Sequence, residues 1–301
     1  MMPFIEEHWR EQGVEPICRE WGIAPSTYYR HKAEERNPEL QSRRKKEDAV
    51  LKELIWDIWD KNYRVYGVRK LWHEMKKTKN PVSRCRVERL MREMGIQGVV
   101  RGKVKWTTIA EKGIPHPLDL VNRVFQAERP NQLWVADFTY VRIRSGFAYT
   151  AFIIDVYSRR IVGWKVSAGM GEAMTLDALE QALWSRKIDA PLIHHSDRGK
   201  QYVSIRYSKR LMEARIRVSV GSAGDAYDNA LAESINGLYK TELVKRRSWK
   251  SLQELEYATL CWVDWFNNTR LMEAIGYLSP AEFEKIYYTK ADVPLQVSGL
   301  T

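Results

Sequence analysis

Cysteine is scarce: Cys18, Cys85 and Cys261 are the only three in 301 residues. They stand far apart, with no Cys-x-x-Cys pair and no cysteine–histidine cluster, so neither a disulfide framework nor a zinc site is indicated. Long hydrophobic runs are missing as well. No apolar stretch approaches the ~20 residues of a membrane-spanning helix, and the N-terminus lacks the basic-then-apolar layout of a secretory signal. The expectation is a cytoplasmic protein in a reducing setting, with no membrane partner. Acidic charge is the third shortage: 38 Asp and Glu face 49 Lys and Arg, a formal net charge of +11. The excess is N-terminal. Residues 1–115 hold 25 basic against 17 acidic side chains, and Lys61 to Lys105 hold 14 against 3. With Trp72 and Trp106 interleaved, that stretch carries the electrostatic footprint of a phosphate-backbone binder, although a solvated basic helix face has the same composition.

A chain of this length buries a sizeable core and divides into two or three domains. Residues 1–36 read as a helix-turn-helix, with a first helix near Ile17 to Trp21 and a turn through Gly22 and Pro25. Ser26 is the expected N-cap of a second helix whose Arg30 and Lys32 are candidate DNA contacts. A helical hairpin with no DNA role would show much the same pattern. Residues 37–96 read as a second, basic helix-turn-helix-like segment. Its start, Asn37 to Glu47, is polar, and then Val50, Leu51, Leu54, Ile55, Ile58 and Trp59 recur at helical spacing as a core stripe. Two further helices follow, around Tyr66 to Trp72 and, capped by Ser83, as far as Met91. Arg69, Lys70, Arg84, Arg86 and Arg89 are the candidate DNA contacts there. Residues 97–130 lack periodicity and hold Gly98, Gly102, Gly113, Pro115 and Pro117, so they are assigned as a linker.

Beyond the linker, residues 131–290 read as an α/β catalytic core with C-terminal helices, and 291–301 as a tail. Leu133 to Tyr140, Phe147 to Val156 and Ile161 to Ser167 are successive strand candidates joined by short turns. A helix (Met174 to Ser185), a strand (Leu192 to His195), a helix (Ile205 to Ala214), a strand (Val218 to Val220) and a helix (Asp228 to Val244) follow. The order βββαβαβα is that of a ribonuclease H-like fold: a mixed five-stranded sheet with flanking helices, in which strands one and four lie side by side.

Three carboxylates stand out on this framework. Asp137 follows the apolar run Leu133 to Ala136, where an ionised group is costly unless paired or metal-bound. Asp197 ends the stretch from Ala190 to Ser196 and precedes a turn at Arg198 and Gly199. Glu233, with 35 residues between it and Asp197, lies on the last helix. Two strand-borne aspartates converging with a helical glutamate can chelate two divalent cations, which prefer hard oxygen ligands. Two such ions ~4 Å apart can activate an attacking oxygen and stabilise a leaving one in phosphoryl displacement. In a chain with 38 acids the spacing alone also arises by chance.

The surrounding blocks resemble those of the OrfB-type transposases of insertion sequence three, within the integrase catalytic-core superfamily whose signature is Asp, Asp, 35 residues, Glu. They are Leu133 to Tyr140, Phe152 to Arg159, His194 to Tyr202, Tyr227 to Ser234, Lys240 to Glu242, Trp265 to Asn268 and Gly276 to Pro280, with Tyr66-Gly67 in the second helical segment. The resemblance spans most of the chain and implies a DNA transposase. Such an enzyme binds the terminal inverted repeats of a mobile element, cuts a strand and joins the freed 3′-hydroxyl to target DNA. The implied cofactor is Mg²⁺, as two ions with Mn²⁺ able to substitute, held by Asp137, Asp197 and Glu233. A basic residue at Lys240, seven positions beyond Glu233 on the same helix face, is implied to meet DNA phosphate; an exposed lysine is the plainer reading. The implied partners are double-stranded DNA, further copies of the chain on that DNA and an upstream OrfA product or fusion, in the bacterial cytoplasm near the nucleoid.

Relatives often carry a His-Ser pair where this chain has Met272-Glu273, so no role is transferred there. His195 shares strand parity with Asp197, and a hydrogen-bonded core histidine explains it equally well; it is given no part in the chemistry. Asp155 reads as a turn or hydrogen-bonding residue, and Asp228 and Asn229 as helix caps. Two other functions fit the same features: a DNA-binding regulator with an inert core, and a nuclease that cleaves without joining.

Overall fold

The computed structural model describes residues 2–78, 82–100, 121, 125–197, 199, 201–221 and 229–291. Most of the linker, the tail beyond Ala291, Arg198 and Asp228 lie outside the described residues.

Helices α1 (Met2–Gln12), α2 (Val14–Glu20) and α3 (Pro25–Arg36) form a small unit around Ile5, Val14, Ile17, Cys18 and Tyr28. Two expectations change here. Helix α1 precedes the anticipated pair, and Ser26 is not the cap of α3. Ala24 occupies that position in extended conformation without a side-chain hydrogen bond. Pro25, whose fixed φ suits the first helical position, starts the helix two residues earlier.

The second unit consists of α4 (Arg43–Lys61), α5 (Val68–Lys77) and α6 (Arg84–Glu93). Ser42 caps α4 by accepting from the Lys45 N–H, and Ser83 caps α6 by accepting from the Arg86 N–H, as its sequence indicates. The stripe residues Leu51 and Ile55 are buried with Leu71, Met75, Val87, Leu90 and Met91 in a core that runs on into the sheet.

Strands β1 (Leu133–Ile143), β2 (Gly146–Asp155), β3 (Ile161–Ser167), β4 (Ile193–Ser196) and β5 (Arg217–Val220) form one mixed sheet in the order β3-β2-β1-β4-β5. The first three are an antiparallel meander. Strand β4 runs parallel to β1, pairing Leu133 with Ile193 through Ala136 with Ser196, and β5 runs parallel to β4. This is the ribonuclease H-like arrangement.

Alternation along β1 divides the core. Trp134 and Ala136 face helices α7 (Glu172–Ser185) and α8 (Ile205–Glu213), together with Leu179, Tyr207 and Leu211. Leu133 and Val135 face the other side, with Ile235 and Tyr239 of α9 (Ala230–Glu242) and Trp262 and Phe266 of α10 (Leu252–Asn268). At Gly163 a Cβ atom would stand 2.1 Å from the Ala178 carbonyl oxygen, so β3 packs against α7 only without a side chain there. Among the described residues no helix is long and apolar enough to cross a membrane.

The C-terminal part ties everything to this sheet. Asn267 donates to the Ile161 carbonyl and accepts from the Ile161 N–H, both at 2.9 Å, extending the backbone pairing of β3 through a side chain. Glu284 on α11 (Pro280–Ala291) pairs with Arg160 at 2.9 Å and with Arg186. The second helical unit docks on the same region. The Tyr66 hydroxyl accepts from the Leu271 N–H at 2.8 Å, Trp265 Nε1 donates to Asn62 Oδ1 at 3.0 Å, and the rings of His73 and Tyr277 stack at 3.8 Å. Beneath this seam Arg270 and Glu242, each about 95% buried, form a forked pair with contacts of 2.6 to 3.1 Å.

Removing one member of a buried ion pair strands the other charge. Glu242→Ala is expected to lower the unfolding free energy by about 3–5 kcal/mol in urea denaturation. The double replacement Glu242→Leu with Arg270→Met is expected to lose far less.

Candidate active site

Parallel pairing of β1 and β4 ends at Ala136 and Ser196; the next residue on each chain is an aspartate. Asp137 lies inside its strand, as the candidate Leu133 to Tyr140 has it, and not at the strand's end. Strand β1 continues for six residues beyond it, to Ile143, paired with β2. It lies instead where β4 stops and β1 goes on. Parity places both acids on the α9 side of the sheet.

Asp137 is held on two sides: Oδ1 accepts from the Phe138 N–H and Oδ2 from Asn236 Nδ2, each at 2.8 Å. Its pKa is nonetheless pushed up, first by burial, then by the Asp197 carboxylate and, more weakly, by Glu233. Asp197 stands at the exposed rim, and desolvation raises its pKa too, against the opposing effects of the Gly199 N–H and His195. The Gly199 N–H donates to Asp197 Oδ1 at 3.0 Å, and a Cβ at Gly199 would press on that same oxygen at 3.0 Å. A turn without a side chain is what lets the amide approach the carboxylate.

Helix α9 supplies the third acid. Glu233 sits exposed in its first turn and is felt electrostatically by Asp137. The two aspartates are neighbours, while Glu233 stands farther out. Among the described residues no group of three His, Cys, Asp or Glu side chains is placed to hold a metal ion, so Asp137, Asp197 and Glu233 are not gathered around one point. Asn236, one turn beyond Glu233, and Lys240, a further turn on, share its face. Lys240 is half-buried; desolvation lowers its pKa and Asp137 opposes that shift. Its ammonium lies 4.7 Å from the centre of the Tyr140 ring.

Asn236 was missed in the sequence, although its i+3 spacing from Glu233 was a visible signal. Asn229 occupies the N-cap position but makes no cap hydrogen bond. Its amide donates to the Ala136 carbonyl at 2.8 Å, tying the start of α9 to β1 beside Asp137. The oxygens Asn229 Oδ1 and Asn236 Oδ1 and the Tyr202 hydroxyl, all buried, have no hydrogen-bond partner among the described residues. Unpartnered buried oxygens beside two mutually repelling carboxylates are a donor set that suits a hydrated, hard divalent cation.

His195 takes its core reading: its Nδ1 is 2.8 Å from Ser219 Oγ and its ring is 99% buried. His194 faces the other side of the sheet against the Tyr207 hydroxyl at 2.9 Å, and burial lowers its pKa to about 3. Asp155 accepts from the Asn131 N–H and from both the N–H and the hydroxyl of Ser158, at 2.7 to 2.8 Å, which is the turn role its position suggests.

The basic candidates separate into two groups. Arg86 and Arg89 converge on the buried Asp48 of α4 at 2.7 and 2.6 Å. They clamp α6 to α4, and both guanidiniums are engaged. Lys32 pairs with Glu6 and Glu35, and exposed Arg30 lies 3.9 Å from Glu34. Arg69, Lys70 and Arg84, by contrast, line an open cleft between α5 and α9 of about 440 Å³. In it, burial pulls the Lys70 ammonium down to about 7, and exposed Arg69 reaches Glu273 at 3.2 Å.

The class of protein is now defined. Residues 127–226 and 214–280 match integrase core domain families, and residues 45–104 match an HTH-like domain. The chain is 53% identical over 288 residues, 96% of its own length and 97% of the relative's, to the transposase for insertion sequence element IS629 of Shigella sonnei. It is 51% identical over 278 residues, 90% of the chain and 98% of the relative, to a putative transposase for IS986/IS6110 of Mycobacterium tuberculosis. It is 30% identical over 283 residues, 93% and 97% of the two, to transposase InsF for insertion sequence IS3A of Escherichia coli. The chain belongs to the insertion-sequence-three family of transposases.

The repulsion between the acids yields a prediction for the metal-free protein. A carboxyl whose folded pKa is raised stabilises the fold when protonated and loses that contribution as pH rises through the folded value. Asp137→Asn is therefore expected to raise metal-free stability at neutral pH by about 1 kcal/mol. The advantage should shrink as pH falls toward the ordinary carboxylate range near 4. Thermal denaturation with and without Mg²⁺ checks it: Mg²⁺ should raise the melting temperature of the unmodified chain and not that of the variant.

Proposed function

We propose that this chain is a DNA transposase that cuts the terminal inverted repeats of its element and joins the resulting ends to new DNA, with Asp137, Asp197 and Glu233 as catalytic residues. The observation that carries the reading is the β1–β4 register, which sets Asp137 and Asp197 side by side under the face of α9 that bears Glu233.

In the first step water attacks a phosphorus atom of the DNA and the P–O3′ bond breaks, leaving a 3′-hydroxyl and a 5′-phosphate. In the second, that 3′-hydroxyl attacks a target phosphodiester and displaces another 3′-oxygen, so one phosphodiester replaces another. Two Mg²⁺ ions, or Mn²⁺ in their place, held by the three acids would supply activation of the attacking oxygen and charge stabilisation of the leaving one. The chain's own groups arrange this chemistry. Asn236 and the Phe138 amide orient the Asp137 carboxylate, and the Gly199 amide orients that of Asp197. Lys240 offers a cation for a phosphate next to the reacting one. No covalent link between protein and DNA is required.

DNA binding falls to the helical units. Arg69 and Arg84, with Lys70 when it is protonated, give the cleft between α5 and α9 a positive lining, with Arg30 and Lys32 of the N-terminal unit as further contacts. Arg86 and Arg89 act indirectly, by holding α6 in place. The working form is an oligomer on the DNA ends, in the cytoplasm, with an upstream OrfA product as partner or fusion.

Asp137→Asn and Asp197→Asn are each expected to abolish Mg²⁺-dependent cleavage and joining of terminal-repeat duplexes while leaving binding within a few-fold of normal. Gel assays of cleavage, joining and mobility shift read all three activities. Retained cleavage in either variant contradicts the site. Salt-sensitive binding without any scission by the unmodified chain would instead mark a regulator, and scission without joined product a nuclease.

A further inference from the structure

Where β1 runs on past the end of β4, its outer face carries aromatic rings that the sheet does not bury. Residues 139, 141 and 143 turn inward and are buried, while Tyr140 and, across the hairpin, Phe147 point outward and are 55% and 52% exposed. Their rings meet edge to face at 5.8 Å. Lys240, from the catalytic face of α9, reaches around the free edge of β1 to place its ammonium 4.7 Å from the Tyr140 ring centre. Exposed Arg142 lies on the same outward face.

We infer that Tyr140, backed by Phe147, is a stacking platform for one unpaired base of the DNA strand being cut, with Lys240 meeting the phosphate beside that base. The inference rests on the transposase reading and adds a nucleotide subsite to it. Three observations favour a nucleotide over another occupant. An aromatic face next to fixed cations is the pairing that single-stranded nucleic acid uses, base on ring and phosphate on cation. Tyr140 is three residues from Asp137 on an extended strand, roughly 10 Å along β1 and on the opposite face of the sheet, so a strand passing around the free edge of β1 brings a base a few nucleotides from the reacting phosphate onto the ring. No strand of the described residues covers this edge of β1, since pairing with β4 stops at Ala136. A base reaching the platform must leave the duplex stack, so the subsite favours ends that open readily.

The experiment compares the unmodified chain with Tyr140→Ala, Tyr140→Phe and Phe147→Ala. Two terminal-repeat duplexes are used, one fully paired and one carrying mismatches over the three base pairs flanking the cut. The expected result is a fall in cleavage of roughly ten-fold or more for Tyr140→Ala on the paired duplex. The deficit should be largely relieved on the mismatched one, with Tyr140→Phe near normal and Phe147→Ala intermediate. The Mg²⁺-induced shift in melting temperature should match the unmodified chain, which separates this effect from damage to the acids. Equal rates for Tyr140→Ala and the unmodified chain overturn the inference. So does an equal deficit on both duplexes, which would mean the ring pair only braces the hairpin. Failure of the unmodified chain to cut either duplex would overturn the transposase reading itself.

Discussion

The register between two parallel strands, β1 and β4, is the constraint on which the site depends. It sets two carboxylates next to each other at the point where β4 ends, an arrangement that the charges themselves oppose. The opposition is overcome by packing. Trp134 and Ala136 are locked into one layer and Leu133 and Val135 into the other, and a slip of one residue would turn every one of these side chains to the wrong face. A rigid sheet thus holds together acids that repel each other, and the Asp197 carboxylate pushes the Asp137 pKa upward.

Helix α9 is the second element the function needs, and it is anchored at both ends. Asn229 fixes its start to the Ala136 carbonyl, and Glu242 fixes its end to buried Arg270. Between them the Tyr239 hydroxyl bonds Thr259 of α10 at 2.7 Å while Glu233, Asn236 and Lys240 face the aspartates. Arg270 adjoins Leu271, whose amide is bound by Tyr66 of the second helical unit. A continuous run of contacts therefore joins the basic helices to the helix that carries the third acid. The same few residues that stabilise the seam also set the distance between the α5–α9 cleft and the catalytic face.

Much of this was legible beforehand, for reasons that differ by element. The strands of the core announce themselves because the buried sheet demands apolar runs broken by short turns, and Ser83 announces α6 because capping is a local interaction. The acids were visible because an ionised residue amid such runs is costly. What stayed hidden was tertiary. Arg86 and Arg89 look like free cations in sequence and become a clamp only because Asp48, about forty residues earlier, folds against them. Asn229 looks like a helix cap and instead bonds a strand nearly a hundred residues away. Ser26 lost its cap role to the local geometry of Pro25. The open position of Glu233 relative to the two aspartates likewise has no trace in the 35-residue interval.

The central claim, that these three acids form one cation-binding centre for DNA strand transfer, is tested most directly by crystals of the chain bound to a terminal-repeat duplex and soaked with Mn²⁺. Anomalous-scattering peaks are expected between the Asp137 and Asp197 carboxylates and against Glu233, beside a DNA phosphate. Bound DNA with Mn²⁺ only at other sites, or a phosphate backbone that bypasses Asp137 altogether, would contradict it.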